Sequence, residues 1–184
     1  VEGQKERLFP HPKWYYYCMT SAEHKTLAFI GLGRMGAAMT THLVEEGYTV
    51  YGHDVSEKAR EAAEREGVQV CRSLKKCIEV LPAPKIVWIM VPSGHVEDVL
   101  KKIRPLLSKD DCIIDGGNSF FKDSVLRDSE LQRYGIDFLD CGTSGGVEGA
   151  RYGASLMVGG EPEVVQKHEH IFRTLAHENG YGHV

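Results

Sequence analysis

Apolar residues fall in short bursts, separated by polar, helix-forming stretches, and the two alternate along most of the chain. The first burst, Thr26-Leu-Ala-Phe-Ile30, reads as a strand and runs straight into Gly31-Leu-Gly-Arg-Met-Gly36. The segment Ala37–Glu46 reads as a helix, with Met35, Met39 and Leu43 four apart on one face and Gly47 as a left-handed stop. Tyr48–His53 predicts a second strand, which ends at Asp54. Beyond it the pattern predicts a helix at Glu57–Glu66, a strand at Val68–Val70 and a helical turn near Ser73–Glu79. The run Ile-Val-Trp-Ile-Met-Val within Lys85–Val91 suits a strand covered on both faces. There follow a helix at Val96–Leu107, a strand at Cys112–Asp115, a helix at Lys122–Tyr134 and a strand at Ile136–Cys141. A strand at Ser155–Val158 and a helix at Pro162–Leu175 complete the series. This alternation predicts a doubly wound, mostly parallel α/β sheet, whose ligands sit at the carboxyl ends of the strands.

The glycines after the first strand carry the sharpest chemistry. Their spacing is G-x-G-x-x-G inside a complete βαβ unit, the context that gives this otherwise weak signal its force. Gly31 allows the strand-to-helix turn, Gly33 lets main chain approach a phosphate, and Gly36 lets the helix pack on the strand. The first N–H groups of the helix then face an anion, as in Rossmann-type domains that hold a diphosphate. Asp54 stands 18 residues past Gly36, where a carboxylate accepts hydrogen bonds from the adenosine ribose. Val55-Ser56-Glu57 contains no Arg or Lys for a 2′-phosphate, so NAD is favoured over NADP. The competing role for Asp54, capping the following helix, falls better to Ser56.

Three further loops follow strands. Val91-Pro92-Ser93-Gly94 reads either as lining for the nicotinamide side or as a plain Pro-Gly turn. In Asp115-Gly-Gly-Asn-Ser119, the Asn118 amide can donate and accept near a bound hydroxy acid, or serve only as a turn former. The stretch Asp140–Gly153 is expected as a glycine-rich loop with Ser144, Gly145 and Gly146 at a strand end. A hydroxyl flanked by exposed N–H groups there makes a small anion site suited to a carboxylate.

Composition narrows the classes. A chain of 184 residues, 42% hydrophobic, holds one domain, or one domain and the start of another. The net charge of −4 argues against a nucleic-acid partner, and no apolar run approaches the roughly 18 residues of a membrane span. Cys18, Cys71, Cys77, Cys112 and Cys141 form no C-x-x-C pair and read as free thiols of a cytoplasmic protein. No metal is expected: His168 and His170, two apart in a helix, point to different sides. Residues 1–24 read as a poorly specified N-terminal arm, with Met19 as a candidate start, ahead of a dinucleotide-binding domain over 25–184.

Together, Gly-Leu-Gly-Arg-Met-Gly (31–36), Ile-Ile-Asp-Gly-Gly-Asn-Ser (113–119) and Cys-Gly-Thr-Ser-Gly-Gly-Val-Glu-Gly-Ala-Arg-Tyr-Gly-Ala-Ser-Leu-Met-Val-Gly-Gly (141–160) resemble the decarboxylating 6-phosphogluconate dehydrogenases of the β-hydroxyacid dehydrogenase superfamily. The resemblance runs from residue 26 to about 182. Thr143 and Arg151-Tyr152 also resemble this branch, whereas the 3-hydroxyisobutyrate branch usually has Ser-Thr where this chain has Gly-Gly-Asn-Ser. Asp54 is similar to the residue of the NAD-preferring bacterial members.

The resemblance implies an oxidoreductase reaction. Hydride passes from C3 of 6-phosphogluconate to the nicotinamide, CO2 leaves, and the enediol is protonated to ribulose 5-phosphate. It implies cofactor contacts from Gly31, Leu32, Gly33, Arg34, Met35, Gly36, Asp54, Val91, Pro92 and Asn118. Substrate contacts would come from Asn118, Ser144, Gly145 and Gly146. The family's general base and acid lie in a Lys-x-x-x-Asn-x-x-Glu helix, expected beyond Val184 together with the helical domain that forms the homodimer. No catalytic acid or base is therefore expected within 1–184. The chain alone is expected to bind NAD yet turn over 6-phosphogluconate negligibly, since acid–base help alone is worth about 10²–10⁴-fold. Two other classes stay open: a non-catalytic dinucleotide-binding module, and an α/β domain using the glycine turn for another phosphate compound.

Overall fold

The computed structural model describes residues 25–184, so the expected N-terminal arm and Cys18 lie outside the described residues. The first unit is β1 (Thr26–Ile30), α1 (Arg34–Glu45) and β2 (Thr49–His53), followed by α2 (Glu57–Arg65), β3 (Gln69–Val70) and α3 (Leu74–Glu79). Next come β4 (Ile86–Ile89), α4 (Ser93–Ile103) with a 3₁₀ turn at Arg104–Leu106, β5 (Cys112–Asp115) and α5 (Phe121–Gln132). The chain continues with β6 (Asp137–Ser144), α6 (Gly146–Tyr152), β7 (Ala154–Gly159), α7 (Pro162–Leu175) and β8 (Ala176–His183).

The strands form one sheet in the order β3-β2-β1-β4-β5-β6-β7-β8. Neighbours from β3 to β6 are parallel, β7 is antiparallel to β6, and β8 is parallel to β7. The order reverses between β1 and β4, and at that switch point loops from the two halves part to leave a crevice. Register brings the ends of β1, β2, β4 and β5 level, Ile30 pairing with His53 and Ile89 and Ile89 with Asp115, while β6 passes Asp115 at Asp140 and runs on to Ser144. Every loop singled out in the sequence thus leaves the same edge of the sheet.

Both faces are buried, as the continuous apolar runs require. On β1, Leu27 and Phe29 enter the core beneath α1 and α7, while Ala28 and Ile30 enter the core beneath α3 and α4. Trp88 anchors the first core, stacked 5.8 Å from Phe29 and tilted against Phe172 at 5.9 Å. Met39 and Leu43 are fully buried on the inner face of α1. Gly47, at φ 81°, ends that helix, and the Ser56 hydroxyl caps α2 by accepting from the Ala59 N–H at 3.3 Å.

Several boundaries differ from the sequence reading. Helix α1 starts at Arg34 instead of Ala37, so Gly36 lies in its first turn. Helix α4 starts at Ser93, ahead of the expected Val96, because Pro92 fixes the residue before it. The expected loop over 140–153 is instead the end of β6 and a short helix, α6. Strand β8 was not expected at all. Its polar, glycine-containing sequence carries no alternation, and it exists because β7 offers it a parallel edge. Tyr181 on β8 stacks 6.0 Å from Phe172 and secures it to the core.

Candidate functional site

The turn after β1 is built by close contact. Gly31 has φ 100°, and a Cβ there would lie 2.3 Å from the Met90 carbonyl oxygen. A Cβ on Gly36 would lie 2.0 Å from the Gly31 carbonyl oxygen, so α1 can start only because both positions lack one. Gly33 is different, since a Cβ there would meet nothing within 4 Å. The space before Gly33 is open, and the first N–H groups of α1 border it. Such N–H groups have no partner inside a helix and carry the positive end of its dipole.

Asp54, at the end of β2, is tied to this turn. One carboxylate oxygen accepts from the Leu32 N–H at 2.7 Å and the other from the Ser56 N–H at 2.7 Å. The carboxylate is therefore oriented, and each oxygen keeps a further lone pair for a ligand hydroxyl. Arg60, one helical turn further on, folds back to donate to the main-chain oxygens of Asp54 at 2.6 Å and Val55 at 3.2 Å. Its role was not evident in the sequence, where only residues 55–57 were weighed as neighbours of Asp54.

Two adjoining cavities flank the glycine turn. One, of about 450 Å³, is lined by Gly31, Gly33, His53, Asp54 and Val55 on one wall and by Val91, Pro92, His95 and Lys102 on the other. The second, of about 300 Å³, runs from Gly33, Arg34, Met35 and Gly36 across Met90, Val91 and Pro92 to Gly116, Gly117, Asn118 and Thr143. They share Gly33, Met90, Val91 and Pro92 and form one cleft along the carboxyl edge. A larger cavity of about 500 Å³ lies beyond Asn118, walled by Phe121, Val125, Phe138 and Met157 and by Asp128 and Asp140. It has no N–H-rich turn, and its carboxylates disfavour a phosphate. Burial raises the pKa of Asp128 and of Asp140 from the ordinary carboxylate value.

Asn118 is placed in the cleft with its amide already engaged. Its oxygen accepts from the Thr143 N–H at 3.0 Å and its nitrogen donates to the Thr143 carbonyl at 3.2 Å. Its backbone is left-handed at φ 53°, so the turn-forming role is real, and one amide N–H is left over for a ligand. Ser144, Gly145 and Gly146 are exposed where β6 turns into α6, one residue past the cleft wall at Thr143. The structure brings the glycine turn, Asp54, Val91, Pro92 and Asn118 together and leaves Ser144–Gly146 at the rim. Arg151 of α6 reaches back to Glu45 of α1, donating at 2.7 Å, and this pairing holds the Glu45 pKa below its ordinary value.

Cys71, Cys77, Cys112 and Cys141 are free and buried. Burial pushes the Cys141 thiol up to about 12. Among the described residues no three His, Cys, Asp or Glu side chains gather as a metal site. No described helix is long and apolar enough to cross a membrane.

A switch-point crevice with open space at a helix start, and a carboxylate fixed beside it, defines a dinucleotide-binding domain of Rossmann type. Residues 26–182 match the family described as the NAD binding domain of 6-phosphogluconate dehydrogenase, and the chain belongs to that family. It is 44% identical over 155 residues to a Bacillus subtilis protein provisionally named a 6-phosphogluconate dehydrogenase, covering 84% of this chain and 52% of that one. It is 38% identical over 160 residues to the NAD(+)-dependent, decarboxylating 6-phosphogluconate dehydrogenase of Haloferax volcanii, covering 86% of this chain and 52% of the relative. Among solved structures, the Mycobacterium tuberculosis 3-hydroxyisobutyrate dehydrogenase superposes with a TM-score of 0.79 at 29% identity, over 86% of this chain and 53% of that one. The chain thus spans about half the length of these relatives.

Proposed function

We propose that this chain supplies the NAD-binding part of an oxidoreductase that oxidatively decarboxylates 6-phosphogluconate. The observation that carries the reading is the Asp54 carboxylate locked to the Leu32 N–H, beside the open space at Gly33. The N–H groups of Gly33, Arg34 and Met35 would hold the diphosphate, and Asp54 the hydroxyls of the adenosine ribose. Val91, Pro92 and Asn118 would border the nicotinamide, whose ring accepts hydride when the cofactor is bound. Ser144, Gly145 and Gly146 would meet the substrate carboxylate from the rim. NAD is favoured over NADP because Asp54 repels a 2′-phosphate, and the nearby Arg60 is occupied by two main-chain oxygens.

The substrate rests on the Gly-Gly-Asn-Ser and Thr-Ser-Gly-Gly sequences and on the names of the curated relatives. The likeness to a 3-hydroxyisobutyrate dehydrogenase favours a second reading, in which the same cleft serves a smaller hydroxy acid. Calorimetric titration with NAD and NADP tests the cofactor. Asp54→Ala should weaken NAD binding by about ten- to hundred-fold, the worth of roughly 1.5–3 kcal/mol for hydrogen bonds to a charged group. An unchanged isotherm would remove Asp54 as the ribose anchor. Titration of the NADH-bound chain with 6-phosphogluconate and with 3-hydroxyisobutyrate then separates the substrates, because only the correct acid should perturb nicotinamide fluorescence.

A further inference from the structure

We propose that Arg127, which lines no part of the cleft, is a positioning residue that sets the nicotinamide side of the site through Asp115 and Ser119. The inference rests on the dinucleotide reading above. Asp115 ends β5 with its side chain fully buried, and Arg127 on α5 is 10% exposed. Arg127 donates to Asp115 at 3.1 Å and to the Ser119 hydroxyl at 2.9 Å, and Ser119 donates in turn to Asp115 at 2.7 Å. The other Asp115 oxygen accepts from the Gly117 N–H at 3.0 Å. The ion pair thus grips the loop at residues 117 and 119, on either side of Asn118.

That placement has a consequence for Asn118. A left-handed backbone is uncommon for a residue other than glycine and persists where its surroundings dictate it. Fixed from both flanks, the Asn118 amide is aimed across the cleft floor at Thr143, which it holds by two hydrogen bonds. Arg127 also lies 3.8 Å from Glu97 on α4, the helix that begins just after Val91 and Pro92. One guanidinium therefore bridges the loop after β5 and helix α4, which begins just after the loop that follows β4. Among the described residues, Asp54 and His53 on the adenine side bond to Leu32, Ser56 and Cys71 and make no hydrogen bond or ion pair with this network, which approaches their cavity only through the half-exposed Glu97 of α4. A merely structural ion pair would affect both sides of the cleft alike when removed, whereas a positioning pair affects one.

The 184-residue chain is titrated with NADH, followed by nicotinamide fluorescence, and with ADP-ribose, which lacks the nicotinamide. Arg127→Gln alone strands a buried carboxylate and risks the fold. The neutral pair Asp115→Asn with Arg127→Gln, and separately Ser119→Ala, keep the test open. Loss of one or two of these hydrogen bonds should weaken NADH binding by about ten-fold while ADP-ribose binding stays within about two-fold. Equal losses for both ligands, or none for either, in variants with wild-type circular dichroism would overturn the positioning role. A wild-type chain that binds neither ligand overturns the dinucleotide reading itself, and the positioning role with it.

Discussion

Two of the chain's glycine turns, one after β1 and one after β6, have different physical causes. After β1 the glycines are required by contact, with main-chain oxygens 2.3 Å and 2.0 Å from where side chains would begin on Gly31 and Gly36. After β6 the requirement is conformational. Gly145 and Gly146 have φ of 120° and 61°, but a Cβ on Gly146 would meet nothing within 4 Å. The first turn is a packed corner whose shape is fixed before any ligand arrives. The second is an exposed corner, open at Gly146 although a Cβ on Gly145 would lie 3.1 Å from the Gly149 Cα.

The sharpest way to break this contrast is Gly31→Ala. Positive-φ strain and overlap with the Met90 carbonyl together should destabilise the domain by about 3 kcal/mol or more. Urea unfolding measures it, and a loss below about 1 kcal/mol would mean the corner is not packed as described. Next in size is Tyr181→Ala. It removes a half-buried ring stacked on Phe172 and should destabilise by about 2 kcal/mol. Hydrogen exchange should rise mainly in residues 176–183, and uniform exchange across the sheet would show that β8 is no separate unit. Gly146→Ala, by contrast, should reduce stability by only about 1 kcal/mol, the usual penalty of left-handed backbone at an alanine. A loss rivalling that of Gly31→Ala would erase the distinction between the two turns.

How far the sequence disclosed this molecule follows the same division. Strands β1, β4 and β5 were legible because two-sided burial writes itself as a continuous apolar run. The glycine turn and Asp54 were legible because their spacing is local. Strand β8 was not, since Ala-His-Glu-Asn-Gly-Tyr-Gly-His has no apolar period and its stability comes from the β7 edge. Helix α6 was hidden by two glycines in seven residues, a composition that disfavours an isolated helix. Arg127 read as one more charge on a helix surface. Only the fold, which packs α5 on β6 with Arg127 beside the end of β5, shows that it meets a buried carboxylate. The engagement of the Asn118 amide by Thr143, 25 residues away, was equally beyond a local reading.

The smallest expected effect probes the rim beside the second turn. Asp140 is half-buried on β6, and that burial is the main cause of its raised pKa; a hydrogen bond from Ser124 opposes the shift, Asp115 nearby adds to it and Arg127 opposes it. A carboxyl that holds its proton more tightly when folded lends stability below its unfolded pKa and loses it as pH rises through the folded value. Near neutrality the native state therefore carries a penalty, which Asp140→Asn should relieve. The variant should melt slightly above wild type at pH 7, and the difference should shrink as pH falls through the folded pKa and vanish only below about 3, where both states of the wild type are protonated. A variant less stable than wild type at neutral pH would show instead that the ionised Asp140 is supported by its surroundings. The region past β6 would then be as fully satisfied within this chain as the corner after β1.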